Sequence, residues 1–191
     1  MKVVAFNGSP RSKGNTAILL NTALDELKNE GIGTELVSLA GKTIPGCRAC
    51  FKCFETKDGH CAVTSDMVNE CIDKMSAADG ILLGSPTYFS DVTAGMKALI
   101  ERAGMTARAN PEILRRKVGA GVVAVRRAGA MHAFTSLNLF FLIGEMIVVG
   151  SSYWNIGIGR EPGDVEKDAE GIQTMVTLGR NMAWLLERIR G

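Results

Sequence analysis

Three groups of residues have the types and spacing that chemistry requires. The first is Asn7-Gly8-Ser9-Pro10-Arg11-Ser12-Lys13-Gly14-Asn15-Thr16, which lies between an apolar run, Val3-Val4-Ala5-Phe6, and a helical pattern beginning near Thr16. A strand that breaks into a glycine- and hydroxyl-rich loop and then opens a helix aims several backbone N–H groups, and the positive end of the helix dipole, at one spot. That spot suits an anion. A nucleoside-triphosphate loop places a lysine and a hydroxyl residue directly after its last glycine, whereas Asn15 and Thr16 follow Gly14. A dinucleotide fingerprint needs G-x-G-x-x-G, and Gly8 and Gly14 are too far apart for it. What remains is a single phosphate held by the Ser9, Ser12 and Thr16 hydroxyls, the Asn15 amide and nearby N–H groups. Flavin mononucleotide (FMN) is its natural owner, with an ordinary strand-to-helix turn capped by Thr16 as the alternative.

The second group is Cys47-x2-Cys50-x2-Cys53-x7-Cys61. Three cysteines spaced by two residues can wrap one face of a cubane cluster, because a tight loop returns a thiolate to the same side at every third residue, and a fourth from further along closes the site. Structural zinc more often takes two separated Cys-x2-Cys knuckles. A [4Fe-4S] cluster is therefore the expected occupant, with zinc, a redox dithiol and free thiols as alternatives. His60 is a candidate ligand, although a lone histidine beside a cysteine is more often a surface group. Cys71 falls on the inner face of a helix and reads as a small core residue.

The third group is Ser85-Pro86-Thr87-Tyr88-Phe89-Ser90 at the end of an apolar strand, with Arg126-Arg127 and His132 further on. A proline followed by two aromatics presents a stiff, flat, apolar edge to an isoalloxazine ring, or else simply covers the end of the sheet. Arg126 and Arg127 are candidates for placing positive charge near flavin N1, and equally read as a solvated pair. His132 is a candidate partner of the ring or substrate, or a plain surface residue.

The elements that position these groups alternate. Ala17, Leu20, Ala23, Leu24 and Leu27 recur at helical spacing, and Gly31 stops that helix. A second strand is expected over 34–39, then an irregular segment over 41–61. A helix from Asp66 carries Met67, Cys71, Met75 and Ala78 on one face, and the third strand follows at 80–84. The next helix turns Val92, Met96, Leu99, Ile100 and Ala103 inward. The fourth strand is predicted at 117–125, a helix at 131–143, the fifth strand at 146–149, a loop at 150–155 and a last helix from about Asp164 to Arg190 with Ile172, Met175, Val176, Met182, Leu186 and Ile189 in its stripe. Strands that are apolar throughout and alternate with helices predict an α/β fold with a parallel sheet covered on both faces. In the flavodoxin-like order the ligand crevice lies between the carboxyl ends of strands one and three, where the first and third groups meet.

Bulk properties narrow the partners. The 191 residues suffice for one well-buried domain, 1–191, with the cysteine-rich loop at 41–61 inside it. A formal net charge of +2, without basic runs or aromatic-basic interleaving, argues against nucleic acid. The most apolar stretch, 137–149, contains Gly144 and Glu145 and is too short for a membrane span. No signal-peptide pattern follows Met1-Lys2, so a cytoplasmic protein with reduced or ligand-bound cysteines is expected.

Taken together, Gly8-Ser9-Pro10-Arg11 with Gly14-Asn15-Thr16, Gly84-Ser85-Pro86-Thr87-Tyr88-Phe89, and Gly150-Ser151-Ser152-Tyr153-Trp154-Asn155 resemble the NAD(P)H-dependent FMN reductases and iron–sulfur flavoproteins of the flavodoxin-like superfamily. The resemblance spans nearly the whole chain. It implies a five-stranded parallel sheet in the order 2-1-3-4-5, FMN phosphate at Ser9, Arg11, Asn15 and Thr16, and the flavin ring against Pro86, Thr87, Tyr88 and Phe89. The spacing of Cys47, Cys50, Cys53 and Cys61 is similar to the cluster motif of the iron–sulfur members. The loop over 126–131 is poorer in glycine than in many relatives. The implied activity passes electrons between a cluster and FMN, with NAD(P)H or a ferredoxin-like carrier as donor and a quinone or flavin as acceptor. A cluster-free FMN or quinone reductase and a flavodoxin-type carrier are the rivals. Family resemblance also implies a homodimer or homotetramer, with Trp154 and the cysteine loop as candidate contacts.

Overall fold

In the computed structural model, which describes residues 1–190, the chain begins with β1 (Lys2–Asn7) and α1 (Asn15–Asn29) and continues through β2 (Gly33–Ser38). A short α2 (Lys52–Thr56), α3 (Val68–Ala77), β3 (Gly80–Pro86) and α4 (Ala94–Ala109) follow, then β4 (Val118–Val125), α5 (Ala130–Ile143), β5 (Ile147–Val148), β6 (Ile156–Ile158) and α6 (Ala169–Arg190). All strand pairings are parallel, in the order β2-β1-β3-β4-β5, with β6 also on β4. The expected order is therefore present.

Alternation along each strand divides the core in two. Val4 and Phe6 of β1, with Ile81 and Leu83 of β3, pack under α3, α4 and α5. Val3, Ala5 and Leu82 face the opposite way, onto α1 and α6. A strand buried on both faces reads as an unbroken apolar run for this reason. Helices sit very close to the sheet where glycines allow it. A Cβ on Gly119 would lie 2.6 Å from the Phe141 ring, which is fully buried and edge-on to Phe140. Phe141→Ala is expected to lower unfolding free energy by about 3–5 kcal/mol, measured by chemical denaturation.

The ends of the elements follow local chemistry. Gly31, with φ +73°, lets the Ile32 N–H reach back to the Leu27 carbonyl at 3.0 Å and closes α1. Thr93 caps α4 by accepting the Met96 N–H at 3.2 Å.

Four expectations are corrected. The fifth strand is not a single strand: β5 pairs with Val118 and Gly119, and β6 continues the same edge beside Val123–Val125 after the 150–155 loop. The last helix is broken, with a short 3-10 turn (Asp164–Lys167) before α6. Asp168 causes the break, since one carboxylate oxygen accepts the Gly171 N–H at 3.0 Å and the other the Ile158 N–H at 2.7 Å. Within the 41–61 segment α2 is regular, and at the end of α6 Ile189 is 45% exposed and outside the core. No helix among the described residues is long and apolar enough to cross a membrane.

Candidate functional site

The loop after β1 is organised by Asn7, which is completely buried. Its Oδ1 accepts the Ser9 N–H at 3.0 Å, and its Nδ2 donates to the Ser12 carbonyl at 3.4 Å. The Ser9 hydroxyl in turn accepts the Arg11 N–H at 3.1 Å. From the other side, the Thr93 hydroxyl donates to the Gly8 carbonyl at 2.7 Å, tying the loop to the start of α4. A Cβ on Gly8 would come within 2.8 Å of Met96 Cβ, so only glycine allows this approach. The loop is thus held open and rigid by its own neighbours. Asn7→Ala removes two of these supports and leaves the buried Ser9 N–H unpaired, which is expected to cost about 1–3 kcal/mol and to weaken FMN binding in a fluorescence titration.

Thr16 does not cap α1. The cap position is Gly14, which offers no side-chain acceptor, and Thr16 lies buried within the first turn. The first-turn N–H groups therefore have no side-chain partner at the positive end of the helix.

Ser9, Arg11, Gly14, Asn15 and Thr16 line one cleft, of about 120 Å³, with Pro86, Thr87 and Tyr88 on its opposite side. Arg126 reaches the same cleft, whereas Ser12, Phe89 and Arg127 do not line it. Gly159 and Arg160, unforeseen from the sequence, complete the wall. They are brought there by Asn15, whose Nδ2 donates to the Glu161 carbonyl at 3.0 Å and whose Oδ1 accepts the Gly163 N–H at 2.9 Å. Asn15 thus braces the 161–163 loop as well as lining the cleft. Arg11 and Arg126 line the cleft together with Arg160, which is paired with Glu161 at 3.2 Å, and no carboxylate lines it, so its field is positive. The Thr87 hydroxyl is buried without a partner. An orphaned hydroxyl, an uncapped helix start and arginines in the cleft wall are features that a phosphorylated flavin would satisfy.

Beside the cleft, Tyr88 and Asp91 exchange backbone hydrogen bonds at 2.8 and 3.0 Å across a two-residue turn. Both turn residues, Phe89 and Ser90, have positive φ (48° and 64°) without being glycine. Such turns favour Asn-Gly, and the Phe89 side chain at this strained turn lies wholly in solvent. His132 is exposed and does not line the cleft.

The four cysteines meet at a second site. Cys47, Cys50, Cys53 and Cys61 line one pocket against Arg102, Met105 and Thr106 of α4. The loop is bent by left-handed Ala49, Phe51 and Lys57, with φ of 50°, 54° and 51°. Their strain persists only where surroundings hold it. The Glu101 carboxylate accepts the Cys47 N–H at 3.2 Å, and Arg102 Nε donates to Cys61 Sγ at 3.3 Å. Burial pushes the Cys53 thiol up, a shift that a bound cation would reverse. The Thr106 hydroxyl is another buried group without a partner. Among the described residues no three His, Cys, Asp or Glu side chains are grouped tightly enough to hold one metal ion. The thiols surround a pocket without converging on a point. His60 has both ring nitrogens engaged, Nε2 with Asp73 at 2.9 Å and Nδ1 with the Asp58 carbonyl at 3.1 Å. Cys71 is core, its thiol pushed up to about 12 by burial.

Both sites are attached to α4. Thr93 at its start holds the loop between β1 and α1, and residues 102–106 face the cysteines, roughly 13–20 Å further along at 1.5 Å per residue.

A parallel sheet in this order with an anion-ready cleft at the β1 and β3 carboxyl ends defines a flavodoxin-like FMN-dependent oxidoreductase. The chain belongs to the family described as NADPH-dependent FMN reductase, which matches residues 1–161. It is 41% identical to an iron-sulfur flavoprotein of Methanocaldococcus jannaschii over the full length of both chains. It is 33% identical to an iron-sulfur flavoprotein of Methanosarcina thermophila, covering 100% of this chain and 97% of the relative. Among solved structures, a flavodoxin, WrbA-like protein of Agrobacterium tumefaciens superimposes with a TM-score of 0.68 at 14% identity, covering 98% of this chain and 97% of the other.

Proposed function

We propose that the protein passes electrons between a [4Fe-4S] cluster held by Cys47, Cys50, Cys53 and Cys61 and an FMN held in the cleft. The observation that carries this reading is the meeting of all four cysteines at one pocket on the helix whose start supports the phosphate-side loop. The FMN phosphate is assigned to Ser9, Arg11, Gly14, Asn15 and Thr16, and the ring to Pro86, Thr87 and Tyr88, the residues that line the cleft. Arg126, which reaches the cleft as Arg127 does not, is assigned to the pyrimidine edge. FMN would supply two-electron chemistry and the cluster one-electron chemistry. The chain's own residues bind and orient: hydroxyls and N–H groups fix the phosphate, arginines favour negative charge, and Glu101 and Arg102 hold the cysteine loop against α4.

The cleft holds no acid, base or nucleophile that the reaction needs, and its open mouth at Tyr88 suits flat acceptors such as quinones or flavins. NAD(P)H or a ferredoxin-like carrier is the proposed donor. Leu139, Leu142 and Ile143 of α5, each about 60% exposed, support a homodimer or homotetramer through this face. Iron and acid-labile sulfide, assayed after anaerobic purification, test the cluster. About four of each per chain is expected, whereas flavin alone would leave a cluster-free reductase.

A further inference from the structure

Arg102 is the most deeply buried cation among the described residues. It is 1% exposed, and its guanidinium reaches four groups. Nη1 pairs with the Asp66 carboxylate and also donates to the Pro45 carbonyl at 3.4 Å, and Nη2 donates to the Val63 carbonyl at 2.9 Å. Nε donates to Cys61 Sγ at 3.3 Å. Pro45 and Val63 flank the cysteine segment, so one side chain on α4 ties together both ends of the loop and its most distant thiol. Asp66 is itself nearly buried and accepts the Val68 N–H at 3.0 Å at the start of α3.

A buried arginine paired with one carboxylate is a dipole, and here its positive end is turned toward a ligand sulfur. Burying such a pair without a function is costly, and hydrophobic side chains of similar size often serve stability as well or better. A hydrogen bond from a cation to sulfur is stronger when the sulfur carries more negative charge. Adding one electron from a reductant increases the negative charge of a cluster and its thiolates by one unit, with no bond made or broken. Hydrogen bonds to sulfur and nearby charge are among the factors that set cluster potentials.

We infer that Arg102, with Asp66 as its counter-charge, is a positioning residue that raises the reduction potential of the cluster through Cys61 Sγ. The inference rests on the cluster reading above. It requires the two variants to move the potential in opposite directions. Arg102→Gln removes the cation and lowers the potential. Asp66→Asn keeps the shape, leaves the guanidinium less compensated and raises the potential. A merely structural role would loosen the loop in both variants and give no such opposition.

The test is an EPR-monitored potentiometric titration with dithionite of the wild type, Arg102→Gln and Asp66→Asn, with iron and sulfide measured on each. Opposite shifts support the inference. Unchanged potentials, or shifts of the same sign, overturn it while leaving the cluster intact in the wild type. Wild-type protein without iron or sulfide overturns the cluster reading and the inference together. Should either variant fail to fold, pulsed EPR of reduced wild type grown on arginine labelled with nitrogen-15 provides the readout. Hyperfine coupling to a labelled guanidinium nitrogen is expected, and its absence overturns the assignment.

Discussion

Riboflavin is expected to bind at least about a thousand-fold more weakly than FMN, because the phosphate is where the cleft concentrates its polar groups. The unphosphorylated ring keeps its contacts with Pro86, Thr87, Tyr88 and Arg126 but loses the Ser9 to Thr16 loop with Arg11 and the uncapped start of α1. Hydrogen bonds to a charged group contribute about 1.5–3 kcal/mol each. Two of them, about 4 kcal/mol together, already amount to roughly a factor of a thousand in affinity. Titrating apoprotein with both flavins by fluorescence quenching measures the ratio directly. Equal affinities would show that the phosphate does not reach the loop.

Replacing any one of Cys47, Cys50, Cys53 or Cys61 by alanine is expected to remove nearly all bound iron while leaving the fold and FMN affinity intact. The cysteine loop lies on the outside of α4, and none of these four side chains belongs to the buried core. The β1 loop, by contrast, is supported by Asn7 and Thr93, which the cysteines do not touch. A cubane with one missing thiolate is exposed to water and oxygen at that corner. Cys71→Ala is the internal control: its thiol, on the inner face of α3, is buried in the core, so stability falls and iron content does not. Iron analysis with a parallel flavin titration separates the two effects.

The sequence made the cleft more legible than the edges of the fold. The residues of the loop between β1 and α1 are consecutive, so their types and spacing point to one anion site, and most of them line the cleft together with Pro86, Thr87 and Tyr88. Gly159 and Arg160 are invisible in that sense. They arrive through Asn15, whose partners lie 146–148 residues away in the chain. Asn7 was read as part of the run, yet its work is done by a completely buried side chain whose bonds only the folded loop defines.

The fifth strand position was the least legible part of the sheet. Ile147 and Val148 make a strand of two residues, and the rest of the edge is taken by Ile156–Ile158, which is too short to carry a period. Similarly, α2 begins and ends at left-handed Phe51 and Lys57, neither of which signals a helix boundary. Arg102 was hidden by an apolar pattern, since Leu99 and Ala103 beside it read as the buried face of α4. A lone arginine between such positions is the signal that was available, because charges are rarely buried without a partner.

One anaerobic titration bears most directly on the two-cofactor account. Purified protein reduced stepwise with dithionite, and followed at visible wavelengths, is expected to take up about three electrons per chain, two by FMN and one by the cluster. An end point of about two, with a spectrum of flavin alone, would contradict it.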